Sequence, residues 1–196
     1  QSHIHDTRPQ KSYEKQRIVG TYVLADNSEE VLTIVSGAVM LATGGFSNLF
    51  LHATGPDSSL GSGLSAAHRA GARTMDLEYV QFHPTALYIE GSRRYLLTEA
   101  LRGAGAKILN MEGKKFLDEL APRDVVARGI HEEMLRTSAP HVYLDLRPIT
   151  DLKKRFPGIV ELLESKGMDP LKEKIPIVPA AHYTMGGVWT DSNGAS

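Results

Sequence analysis

The sequence predicts a mixed fold of strands and helices, α/β verging on α+β, and three observations predict it. Two β-rich runs near the start, Arg17 to Leu24 and Val31 to Val35, flank the turn composition Ala25-Asp26-Asn27-Ser28. The run Ala38-Val39-Met40-Leu41-Ala42 is apolar throughout, as a strand buried on both faces of a parallel sheet must be, and ends in Thr43-Gly44-Gly45. Further on, strand-like and helical segments follow one another, and the helical segment Phe156 to Lys166 keeps Ile159, Leu162 and Leu163 on one side. With 196 residues, 41% of them hydrophobic, the chain can build one large domain or one domain and part of another.

Taken in order, residues up to about Lys15 are polar and irregular and read as a loop or edge segment; His3 and His5, metal ligands by type, read as solvated near a terminus. The two β-rich runs form a hairpin. Ligands of open α/β sheets bind beyond the carboxyl ends of strands, so Thr43-Gly44-Gly45 is a candidate for close backbone approach to a cofactor, although a tight turn needs glycine equally. Gly61-Ser62-Gly63 precedes the small-residue helix Leu64 to Ala70, which Gly71 stops. Met75 to Phe82 reads as a strand leading into His83-Pro84, where proline keeps the preceding residue extended. Tyr95 to Leu101 is a short segment offering Thr98 and Glu99, and Lys107 to Phe116 is a hairpin around Asn110-Met111-Glu112-Gly113. Val142 to Leu146 is a strand, Asp151 to Arg155 a solvated helix face, and Lys174 to Pro179 a proline-edged strand delivering His182 ahead of Gly186-Gly187.

Composition excludes several functions. Lys and Arg total 22 against 23 Asp and Glu, a net charge of −1, so there is no basic field for nucleic acid or an anionic membrane surface. No apolar run reaches the roughly 18 residues of a membrane span. Cysteine is absent, which removes disulfides, thiolate nucleophiles and Cys-ligated metal, and the chain is read as cytoplasmic.

The chemistry gathers on Leu120-Ala121-Pro122-Arg123-Asp124-Val125-Val126-Ala127-Arg128. Proline suits the first turn of a helix, so a helix is expected from Pro122 to about Arg136, with Arg123 at its positive end. Free backbone donors, the helix dipole and a guanidinium together receive an anion. Against this, Asp124, Arg128, Glu132 and Arg136 recur at i,i+4 spacing, which equally makes Arg123 one more solvated charge. Likewise His83 is either a donor to a ligand or a structural histidine. Two histidines, a threonine and an arginine make a pocket able to hold two carboxylates by charge-assisted hydrogen bonds. The rival is a metal site of His83, His182 and Glu99, the ligand types of a 2-His-1-carboxylate iron centre.

Four stretches carry a resemblance: Gln81-Phe82-His83-Pro84-Thr85, Leu97-Thr98-Glu99-Ala100-Leu101-Arg102-Gly103, the Arg123 stretch, and Pro179-Ala180-Ala181-His182-Tyr183-Thr184-Met185-Gly186-Gly187. In this order they resemble the succinate dehydrogenase and fumarate reductase flavoprotein family, from about Arg17 to the end. Thr98, Pro122 and Ala180-Ala181 lean toward its members that oxidise L-aspartate. The resemblance implies part of an FAD-binding domain joined to a fumarate reductase-like capping domain: residues 1–45 a remnant of the former, 46–75 a connection and cofactor-facing helix, 76–185 the capping or substrate domain, and 186–196 the return.

It also implies noncovalent FAD, a small dicarboxylate substrate (L-aspartate, fumarate or succinate), oxygen or fumarate as acceptor, and iminoaspartate made for NAD biosynthesis with hand-off to quinolinate synthase. Arg123 matches the family's proton-transferring arginine; His83, Thr98 and His182 match carboxylate ligands with Glu99 beside them. Thr43, Gly44 and Gly45 match the turn along the flavin nucleotide, and Ser62 stands where the family has an aspartate near the FAD. No metal is implied. The family's Thr-Asn-Pro appears as Thr54-Gly55-Pro56, and the chain is several residues shorter between Phe116 and Leu120. No Gly-x-Gly-x-x-Gly fingerprint precedes these stretches, so the chain reads as the middle of a longer enzyme, expected by itself to be inactive and not to retain FAD. The alternatives are a succinate dehydrogenase or fumarate reductase flavoprotein subunit, and a non-catalytic dicarboxylate-binding module.

Overall fold

A computed structural model describes residues 17–25 and 28–196. His3, His5 and the turn residues Asp26 and Asn27 lie outside the described residues. The chain divides into two units, one of Gln1–Gly44, Gly61–Met75 and Gly187–Ser196, the other of Gly45–Leu60 and Asp76–Gly186. The stretch 46–75, expected as one connection, is thus shared between them.

In the first unit β1 (Gly20–Leu24) and β2 (Val31–Val35) form the expected antiparallel hairpin. Helix α1 spans Ser62–Arg69 and stops at Gly71, whose φ of +98° suits glycine. A two-residue strand, β3 (Thr74–Met75), pairs later in this unit with Gly187–Val188. The buried strand expected at Ala38–Ala42 is not present. No described strand pairs with this run, and Val39, Met40 and Leu41 are 42%, 92% and 48% exposed. An all-apolar run records a preference for neighbours on both edges, and a parallel strand forms only where they pair with it.

The second unit is built on an antiparallel sheet. Its strands are β4 (Val80–Leu87), β5 (Tyr95–Leu96), β6 (Lys107–Leu109), β7 (Val142–Asp145) and β8 (Ile175–Thr184), in the spatial order β5-β4-β8-β7-β6. Four helices belong to it: α2 (Ala100–Gly103), α3 (Arg123–Thr137), α4 (Leu152–Arg155) and α5 (Pro157–Ser165). Helix α3 starts where proline predicted, with Pro122 as its cap at ψ 150° and Asp124 in the first turn. Its buried residues Val126, Ala127 and Ile130 recur at helical spacing and pack on the sheet. The core is one cluster that includes Leu87, Leu101, Ile108, Ile130, Leu144, Leu163 and Ile177.

Two expectations change here. The strand placed at Met75 to Phe82 is divided between β3 and β4, so His83-Pro84 lies inside β4 instead of in a turn at its end. The strand placed at Lys174 to Pro179 runs on through His182 to Thr184. The division falls at a turn, where Asp76 takes a φ of +57° and its carbonyl accepts the Tyr79 N–H at 3.1 Å; within the β4–β8 ladder a pair of opposed bulges accommodates Pro84 and His182. Gln81 pairs with Tyr183 and Phe82 with Ala181, which leaves His182 as an extra residue on β8. His83 pairs with Ala180 and Ala86 with Val178, so Pro84 and Thr85 together face Pro179. The bulge removes the ladder position at which Pro84 would owe an N–H, and bulges re-aim neighbouring side chains.

Candidate active site

Arg123 is the first residue of α3, and its guanidinium is engaged on two sides. Nε donates to Glu99 Oε2 at 2.5 Å and Nη1 to Gln81 Oε1 at 3.1 Å. Glu99, just before α2, also lies between two cations, because its Oε1 is 3.0 Å from Arg102 Nη2. That second contact is an ion pair without hydrogen-bond alignment: Arg102 Nε and Nη2 have no hydrogen-bond partner, although the residue is 3% exposed. Its Nη1 donates to the Glu119 carbonyl at 2.5 Å. The hydrogen bond from Arg123 holds the Glu99 carboxyl below the ordinary carboxylate range, with the charges of both arginines acting the same way and burial opposing. The continuous Arg123–Glu99–Arg102 chain carries one net positive charge beside α3.

His83 and His182 come together from the two bulged strands, ring centroids 5.5 Å apart and edge to face. His83 is 1% exposed, and burial first, then Arg123, His182 and Arg102, push its pKa down to about 4, with Glu99 opposing. It is therefore a neutral imidazole at physiological pH. His182 is shifted down too, by burial and by Arg123. Its Nδ1 lies 2.8 Å from Thr54 Oγ1. The loop carrying Thr54 is held against the bulge, since Ala181 N–H donates to the His52 carbonyl at 2.8 Å and Thr54 N–H to the Ala181 carbonyl at 3.0 Å. Thr98 is half-buried at the head of α2, where its hydroxyl accepts the Ala100 N–H at 3.4 Å.

All five candidate substrate residues thus lie in the second unit: Arg123 and Glu99 in direct contact, His83 and His182 against each other, Thr98 next to Glu99 in the chain. Among the described residues no group of three His, Cys, Asp or Glu side chains is placed to hold a metal, so His83, His182 and Glu99 do not form the ligand cluster of the rival reading. Sequence reasoning missed Gln81, Thr54 and Arg102. Arg102 had a signal, its i,i+3 spacing from Glu99 across one helical turn. Arg123 and Gln81 also line a cavity of about 890 Å³, walled by Phe50, Phe82, Met134 and Val178.

The cofactor candidates fit part of a nucleotide cradle. In the first unit Gly44 takes a φ of +70°, and a Cβ at Gly63 would collide with Thr43 Oγ1. The Thr43-Gly44 turn therefore packs at the start of α1, whose cap Gly61 offers no side chain to the helix's free N–H groups. Backbone donors of this kind, with Ser62 first in the helix, suit a pyrophosphate. In the second unit Gly45 has no room for a Cβ beside Thr184.

The family model described as "FAD binding domain" matches residues 10–196. The L-aspartate oxidase of Yersinia pestis is 48% identical over 187 residues, covering 91% of this chain and 35% of that protein. The solved quinol–fumarate reductase with menaquinol molecules is similar at a TM-score of 0.74 and 35% identity, over 84% of this chain and 33% of that one. Mycobacterium smegmatis Sdh1 in complex with UQ1 gives 0.77 and 32%, over 90% and 31%. The chain therefore spans about a third of the length of the curated relatives it matches. No described helix is long and apolar enough to cross a membrane.

Proposed function

The chain belongs to the FAD-binding-domain family, and from that premise we propose that it is the substrate-holding part of an L-aspartate oxidase, which oxidises L-aspartate to iminoaspartate with oxygen or fumarate as acceptor. The observation that carries this reading is the convergence of Arg123, Glu99, His83 and His182, from four separate stretches, on one unit of the fold. Two neutral imidazoles and an arginine offer hydrogen bonds to carboxylates while adding little competing charge of their own.

The backbone of Thr43, Gly44 and Ser62 would hold part of FAD, which would supply the two-electron acceptor. The chain's own residues bind and orient. His83 and His182 take carboxylate oxygens, with Thr98 beside them. Arg123 binds the substrate and stabilises charge that develops at the reacting carbons. When fumarate is reduced, Arg123 is the proton donor, and Glu99 Oε2, which accepts its Nε–H, holds the guanidinium in place for that transfer. A cytoplasmic setting and delivery of the product to quinolinate synthase complete the reading, on the resemblance of the motifs alone.

A second reading, a succinate dehydrogenase or fumarate reductase flavoprotein subunit, is favoured by the solved structures at 35% and 32% identity. Product analysis on the parent protein separates the two. Iminoaspartate with ammonia release supports the oxidase; succinate–fumarate exchange without turnover of aspartate supports the dehydrogenase; dicarboxylate binding without either reaction overturns both in favour of a binding module.

A further inference from the structure

We propose that Thr85 is a positioning residue that holds His83 as an Nε2–H donor and ties it to the segment carrying Thr98. The proposal rests on the reading of His83 and Thr98 as carboxylate ligands, and concerns how they are aimed.

Thr85 is fully buried, and each of its polar groups is committed. Its N–H donates to His83 Nδ1 at 3.3 Å. Its hydroxyl donates to the Leu97 carbonyl at 2.7 Å, and its own carbonyl accepts the Leu97 N–H at 2.9 Å. One residue therefore grips His83 on one side and the residue before Thr98 on the other. The bulge makes this possible: Pro84 and Thr85 share a single position opposite Pro179, which folds the Thr85 N–H back under the ring two residues earlier.

The tautomer follows from the direction of these bonds. A neutral imidazole has one N–H and one bare nitrogen, and a nitrogen that accepts from a backbone N–H must be the bare one. Thr85 Oγ1 also lies 3.4 Å from Nδ1, yet its proton is already on the shorter bond to Leu97, so it supplies no second donor. Nε2 is left as the donor, which is what a carboxylate requires of a neutral histidine. Protonation would put a second N–H on Nδ1, facing the Thr85 N–H, in a setting where Arg123, His182 and Arg102 also oppose charge and Glu99 alone favours it. Thr85 thereby commits His83 to one proton on one atom.

The test uses the 196-residue chain carrying ¹⁵N-histidine, free of ligand, with His83→Gln identifying the His83 signals. Two-bond proton–nitrogen spectra near neutral pH should show a protonated Nε2 and an unprotonated Nδ1. Thr85→Ser keeps the hydroxyl and should preserve that pattern. Thr85→Val keeps the backbone N–H that donates to Nδ1 but removes the hydroxyl and strands the Leu97 carbonyl, so the tautomer should persist while succinate affinity falls about tenfold, the scale of one lost hydrogen bond. Protonated Nδ1 in the unmodified chain overturns the proposal, as does Thr85→Val with unchanged succinate affinity. Should Thr85→Val fail to fold, the unmodified chain and Thr85→Ser still decide the tautomer. If succinate does not bind the unmodified chain while its nitrogen pattern is as expected, the dicarboxylate reading fails and the positioning stands.

Discussion

Arg123 Nε and Glu99 Oε2 are 2.5 Å apart although 24 residues separate them in the chain, and the same carboxylate reaches the buried Arg102 with its other oxygen. An arginine in this position is held on one edge by an acid and on the other by the Gln81 amide, so its orientation is fixed before any ligand arrives. Preorganised charge of this kind acts on a transition state without reorganisation at the moment of reaction.

Arg123→Ala in the parent protein is expected to lower fumarate reduction by several orders of magnitude, since both the charge and the proton donor are lost. Flavin content should stay near normal. Steady-state rates within about tenfold of the unmodified protein would contradict the assigned role.

Stability should fall as the solution is acidified, through His83. Its pKa is about 4 in the fold against an ordinary 6.5. Between these values the unfolded chain takes a proton that the folded chain refuses. The contribution is whole above the unfolded value, drains away as pH falls through this window, and is gone below it. The loss is about 3 kcal/mol for a shift of this size. His182 and His52, both shifted down, act in the same sense. Urea unfolding across the window should give a shallower pH slope for His83→Gln than for the unmodified chain; equal slopes would place His83 in solvent.

Thr54→Ala removes the partner of His182 Nδ1 without touching the ladder that holds the loop. One hydrogen bond of this kind is worth about 1 kcal/mol, so succinate affinity in the parent protein should weaken about fivefold. Thr54→Ser should restore it. Calorimetric titration of the three proteins checks both statements, and an unchanged affinity in Thr54→Ala would mean that His182 is aimed by its strand alone.

The purified 196-residue chain is expected to fold with neither flavin absorbance nor stoichiometric iron or zinc. The described cradle offers a turn and one helix end, only part of what a dinucleotide needs. Bound FAD with aspartate-dependent peroxide formation would show that this part suffices. Metal lost on His83→Ala or His182→Ala would revive the iron-site reading.

Much of this was legible in the sequence where the signal is local. Pro122 marks the start of α3, Gly71 the end of α1, and the apolar spacing of Val126, Ala127 and Ile130 the buried face. The site was legible only as separate motifs. That His83 and His182 touch depends on two bulges, and a bulge is a property of two paired strands that neither Gln81-Phe82-His83 nor Ala181-His182-Tyr183 shows alone. Thr54 is in the same position, since it reaches His182 through a loop bridged to β8. The run Val39-Met40-Leu41 failed in the other direction, because its side chains state a demand for burial that the described residues do not meet.

The opposed bulges also fix when the site can exist. They form only when β4 meets β8, and all of Tyr88–Lys174, with helices α2 to α5 and three strands, lies between those partners. Loop-closure entropy grows with the length enclosed, by about 0.6 kcal/mol per doubling, and pairings remote in sequence slow the search for the native state. Helices α3 and α5 draw on neighbours within a few residues and nucleate early. The two histidines meet late, after the helices have condensed and shortened the gap. During refolding, helical signal should therefore recover before dicarboxylate affinity, and a half-folded chain would carry every binding residue and hold nothing.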